Sequence, residues 1–169
     1  MKKLSILISL VALFSIASVT VNAQVSATAT TSATIITPIA ISKTTDMNFG
    51  NVAVSPTLAG TVQLATTNAR TAGGGATLPA VTGTVSAAKF NVTGLAGSTY
   101  SISLPASITL NSGANSMTVD AFTSTPTPTG TLTGGTQDIL VGATLNVAAA
   151  QAAGLYTNAT GLVVTVNYN

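Results

Sequence analysis

The chain contains no cysteine, histidine, glutamate or tryptophan, and only six charged side chains lie beyond residue 23: Lys43, Arg70 and Lys89 against Asp46, Asp120 and Asp138. No disulfide or zinc site can hold such a fold together, so packing and backbone hydrogen bonds must. Threonine, serine, alanine, valine and glycine dominate the sequence. β-Branched side chains pack well on a pleated surface and are stiff in a helix, so this composition favours strands.

Period-two alternation recurs along the chain. Val25, Ala27, Ala29, Ala33 and Ile35 share one parity, with Ser26, Thr28, Thr30, Ser32 and Thr34 on the other. Tyr100, Ile102 and Leu104 alternate with Ser101 and Ser103, and Leu162, Val164, Val166 and Tyr168 line one side of the last segment. Each pattern reads as a half-buried strand. Further strands are expected at residues 47–54, 61–65, 83–93, 108–110, 117–122, 130–132 and 139–147, with a bulge near Ala88, where the apolar parity changes. Turn residues separate them: Ser55-Pro56, Gly73-Gly74-Gly75, Asn111-Ser112-Gly113 and Gly134-Gly135. Short strands at this spacing predict an all-β fold, a single antiparallel immunoglobulin-like β-sandwich, with a β-barrel as the alternative. Residues 148–153 offer the one helical stretch, and 68–79 read as a flexible loop.

The first 23 residues form a separate object. Lys2 and Lys3 precede an apolar run over 4–21 that ends in Val21-Asn22-Ala23. Basic head, apolar middle and small-x-small end are the parts of a secretory signal peptide. The expected organisation is therefore a signal peptide at 1–23 and one β-sandwich domain at 24–169. About 150 residues bury roughly two thirds of their unfolded surface, enough for one core. The expected location is the periplasm, cell surface or exterior of a Gram-negative bacterium. Three positive and three negative charges balance beyond residue 23. That excludes a basic nucleic-acid surface and favours association.

Catalytic and ligand chemistry find few reagents. A Ser or Thr nucleophile needs a nearby base, and only Lys43 and Lys89 could serve. Paired carboxylates would have to come from Asp46, Asp120 and Asp138, each in a turn-like or strand-edge context. Asp46, Asn48 and Asn51 form the nearest approach to a calcium loop, but an Asx turn explains them better. The triple glycine is not followed by Lys-Ser/Thr and a helix, so it is no phosphate loop. Thr125-Pro126-Thr127-Pro128-Thr129 reads as an exposed connection. No catalytic residue, metal ligand, cofactor or small-molecule substrate is expected, and the chain is read as a non-enzyme.

An ordered series of segments resembles a bacterial family, the domain of unknown function 4402. It runs through Ile39-Ala40-Ile41, Asp46-Met47-Asn48-Phe49-Gly50, Ala88–Thr93 followed by Gly94, Tyr100-Ser101-Ile102-Ser103-Leu104-Pro105, Val141-Gly142-Ala143-Thr144-Leu145-Asn146-Val147, and Gly154-Leu155-Tyr156 before Val164-Thr165-Val166-Asn167-Tyr168. The ending is also similar, more distantly, to spore coat protein U and archaic chaperone–usher pilins. Those latter families imply exported β-sandwich subunits of surface fibres joined by donor-strand exchange. On that likeness Val25, Ala27, Ala29 and Ile35 would form the donor strand. Leu162, Val164, Val166 and Tyr168 would form the C-terminal strand that a periplasmic chaperone recognises. The cysteine pair of many such pilins is missing here.

The functional expectation is a fimbria-like or surface-coat structural subunit that binds copies of itself, or other surface subunits, by β-strand addition. The alternative is a monomeric secreted binding module presenting loops 68–79 and 125–130 to a glycan or protein.

Overall fold

The computed structural model describes residues 24–169. They fall into two units: residues 24–34 belong to one, and Ile35–Asn169 form the other. Residues 24–39 carry no strand, and all of 24–38 are exposed. The half-buried strand expected at Val25 to Ile35 is therefore not formed within this chain. A strand needs a ladder partner, and small side chains alternating with hydroxyls bury too little apolar area to order a lone segment. The signal peptide expected at 1–23 falls outside the described residues.

The second unit is an all-β sandwich. Its strands are β1 (Ala40–Thr45), β2 (Ala53–Val54), β3 (Gly60–Leu64), β4 (Arg70–Gly74), β5 (Ala76–Thr77), β6 (Ala88–Thr93), β7 (Thr99–Ser103), β8 (Ser107–Ser112), β9 (Asn115–Thr125), β10 (Thr129–Thr131), β11 (Thr136–Val147) and β12 (Thr165–Tyr168). All pairings are antiparallel.

Strand β11 organises the large sheet. Residues Thr136 to Val141 pair with β6, Ala143 to Val147 pair with β3, and Leu140 to Asn146 pair with β9. A strand has two edges, so β6 and β3 must lie end to end along one edge while β9 takes the other. At Gly142, between the two partners on that shared edge, a side chain would collide with the Leu64 carbonyl, so only glycine lets the backbones approach. Strand β9 absorbs the mismatch with an extra residue opposite Gly142 to Thr144, where Ala121 takes φ 47°. β1 continues the sheet beyond β6, β4 beyond β3, and β8 beyond β9. A three-stranded sheet, β10-β7-β12, and the short pair β2–β5 complete the sandwich.

Two apolar clusters share β11. Phe90, Val92, Ile139 and Val141 of the large sheet meet Tyr100, Leu132, Val164 and Val166 from the small-sheet side. Val62, Leu64, Val119, Ala143, Leu145 and Val147 meet Phe49 and Ala76. Met47 and Phe122 pack against both. Tyr100 is fully buried, and its hydroxyl donates to Gln137 Oε1 at 2.8 Å. Burial pushes the pKa of that phenol upward.

Several expectations are corrected. Residues 68–79 are not a loop: β4 and β5 run through them, and Gly73 and Gly74 sit in the ladder with β3. At Gly75 a side chain would strike the Leu58 carbonyl, so this glycine serves close backbone approach. The helix expected at 148–153 is absent; the only helical turn among the described residues is the 3-10 turn Thr133–Gly135. The strand expected at 47–54 shrinks to a bridge at Asn48 and the two residues of β2, because the Asn48 side chain accepts from Gly50 N–H and turns the chain. The parity change near Ala88 is present, since Ala87 and Ala88 are both buried. The ladder irregularity lies across from it in β1, between Lys43 and Thr45.

Because Ile139 lies at 0% exposure in the first cluster, Ile139→Ala should lower the unfolding free energy by about 2–5 kcal/mol. Leu155, 81% exposed, should change it by less than about 0.5 kcal/mol when replaced by Ala. Urea denaturation of both variants checks the contrast.

Candidate assembly surface

Among the described residues, the charged side chains lie apart from one another in pairs or singly, and they form no shared cluster. Lys43 pairs with Asp46 at 2.6 Å, and Lys89 with Asp138 at 2.8 Å. Asp120 lies on β9 at the bulge, and Arg70 donates to the carbonyls of Phe49 and Asn51. The residues closest to a calcium loop are also spent: Asn48 Oδ1 accepts from Gly50, and Asn51 donates to the Val81 carbonyl. No group of three metal-ligating side chains occurs among the described residues. No described helix is long and apolar enough to cross a membrane.

The sheet ends offer a different chemistry. An edge strand presents unpaired N–H and C=O groups, and most proteins guard such edges with charge, proline, irregularity or a covering segment. Seven strands lie at the ends of the paired network: β1, β4, β8, β10 and β12, and the two-residue strands β2 and β5, which pair only with each other. Strand β1 carries Lys43 and a register irregularity. Strand β4 carries Arg70 and ends in glycine. Strand β8 is covered: Asn111 and Thr157 exchange two backbone hydrogen bonds, and Asn158 Nδ2 donates to Thr109 C=O at 2.7 Å. Strand β10 has three residues and follows Pro126 and Pro128. Strand β12, Thr-Val-Asn-Tyr, carries no charge, proline or irregularity, and its end is tied through Tyr168 Oη to Thr37 C=O in the segment that leads into β1.

The register shows which groups of β12 face outward. Asn169 N–H donates to Thr99 C=O, one step past the Tyr168–Tyr100 pair. Hydrogen-bonded and non-hydrogen-bonded pairs alternate in an antiparallel ladder. Thr165 and Asn167 therefore point their backbone groups at β7, and Val166 and Tyr168 point theirs away from it. Ile102, opposite Val166, correspondingly donates its N–H to Pro128 on the far side of β7.

The residues singled out from the sequence divide accordingly. Leu162, Val164, Val166 and Tyr168 all pack into the first cluster, so their apolar side chains face the sandwich's own core. Leu162 and Val164 precede the regular strand. Val25 is 92% and Ile35 98% exposed, and Ala27 and Ala29 are exposed as well. Thr37, which no sequence pattern singles out, comes against β12: Tyr168 Oη donates to Thr37 C=O at 2.9 Å. No periodicity could have revealed a bond spanning that sequence distance.

The fold is that of an all-β sandwich domain. The family model described as "Domain of unknown function (DUF4402)" matches residues 39–168. The chain belongs to that family. No curated protein and no solved structure matched it.

A perturbed carboxyl lies on the large sheet. Asp138 is held below its ordinary pKa of 3.8 by hydrogen bonds from Lys89 first and Asn91 second. A lowered folded-state pKa adds stability above the unfolded carboxyl's pKa, and that stability is lost as pH falls through the folded value. The pair is about half exposed and salt-screened, so its contribution is small. In an NMR titration, Asp138 should show its inflection below 3.8, and Lys89→Met should move that inflection upward.

Proposed function

We propose that this chain is a non-enzymatic exported structural subunit, fimbria-like or surface-coat in kind, that joins its copies by β-strand addition. The observation carrying this reading is the outward backbone edge of β12, where Val166 and Tyr168 have no ladder partner and the strand carries no charge, proline or irregularity. Residues 25–35 have the matching character. They alternate with period two, carry no charge and have no ladder of their own.

In the proposed complex, residues 25–35 of one copy pair with Val166 and Tyr168 of the next. Backbone hydrogen bonds supply the affinity. Val25, Ala27, Ala29 and Ile35 fall on one face and supply register, since a one-residue slip would turn every apolar side chain outward. Burying each such side chain gains about 25 cal/mol per Å² of apolar area removed from water. A periplasmic chaperone would cover the same edge before assembly, and the leader-like residues 1–23 would bring the chain to the periplasm or cell surface.

Deleting residues 24–32 should leave a folded monomer and abolish multimers on size-exclusion chromatography. Asn167→Lys, which puts a charge on the β12 edge, should do the same from the acceptor side. Multimers that persist unchanged in both variants would contradict strand addition at this edge.

A further inference from the structure

Tyr168 does more than fill the first cluster. Its hydroxyl accepts from Leu95 N–H at 2.6 Å and donates to Thr37 C=O at 2.9 Å. Both partners are backbone groups. The ring crosses the chain at Gly94, where any side chain would collide with the Tyr168 hydroxyl. One phenol thus ties three parts of the sandwich together: the last strand, the β6–β7 turn and the segment that leads into β1.

The attachment at Thr37 is at a stiff place. Pro38 follows, with its φ fixed near −65°. The residue before a proline is held to extended conformations, so Thr37 has little freedom either. Beyond this point, from residue 36 back to 24, every residue is exposed and none is in a strand.

We infer that Tyr168 is a positioning residue for assembly: its hydroxyl pins the root of the exposed arm to the end of the strand whose edge accepts the neighbouring copy. This rests on the strand-addition reading and deepens it. The bond to Thr37 ties the root of the arm to the strand whose edge would receive the next copy. Each added copy is then held at a set angle to the one before, and the hydroxyl fixes that angle without touching the donated residues. Removing the hydroxyl leaves pairing possible and takes away the fixed geometry.

The test is Tyr168→Phe in the full chain, which keeps the ring and its packing. Hydrogen exchange at the Leu95 amide should quicken by about 5- to 10-fold, the loss of one hydrogen bond. The β11 amides should keep their exchange rates. In electron micrographs, multimers should become shorter and more variable in curvature than wild type at equal concentration. Pro38→Ala, at an exposed position, should loosen the same root without touching the core and serves if the Phe variant folds poorly. Unchanged Leu95 exchange in the Phe variant would overturn the latch. Altered exchange with multimers of wild-type length and shape would reduce Tyr168 to a fold contact and overturn its assembly role. Failure of the strand-addition reading is separable, because it shows as multimers that survive deletion of 24–32 whatever Tyr168 does.

Discussion

The pairing of β11 on both edges is the interaction on which the rest of this structure depends. Its twelve residues face β6 and then β3 on one side and β9 on the other. Its alternate residues Ile139, Val141, Ala143, Leu145 and Val147 supply both apolar clusters in turn. With no disulfide available, nothing covalent backs up this arrangement. The two halves of the sandwich are one cooperative unit because a single strand is the floor of both.

A sheet that does not close on itself must end, and its ends carry the functional argument. Backbone groups that lack a partner are costly when buried and adhesive when exposed. Different devices quiet the other ends: the Lys43 charge and irregularity on β1, the Asn158 and Thr157 cover on β8, brevity and prolines on β10. Strand β12 is left with the outward amides of Val166 and Tyr168. The proposed strand addition would take place at these amides.

Much of the fold was legible in the sequence. Strands β3 and β6 to β12 announce themselves because one face is buried and the other is hydroxylated, so alternation survives in the residues. Strand β1 shows less because only Ile41 of its six residues is even partly buried. Strands β4 and β5 were hidden by their glycines: the sequence shows a residue without a side chain, but whether it brings freedom or close approach depends on what passes overhead. The alanines of 148–153 carry helix propensity without a periodic apolar face, and tertiary context overrode it. The sharing of β11 between two partners on one edge is a pairing of distant segments, which no local pattern encodes. At the candidate site, the four apolar residues of the last strand were visible, but their face is spent on the core. The usable feature is the backbone edge, to which side-chain patterns are blind. Alternation at Val25 to Ile35 was equally visible and marks a segment without a ladder in this chain.

Hydrogen exchange of the Val166 and Tyr168 amides, compared between monomer and multimer, tests the central claim most directly. If a neighbouring copy adds its strand to β12, both amides exchange rapidly in the monomer and become protected on assembly, in step with residues 25–35. Multimers in which these two amides stay as unprotected as in the monomer would contradict the account.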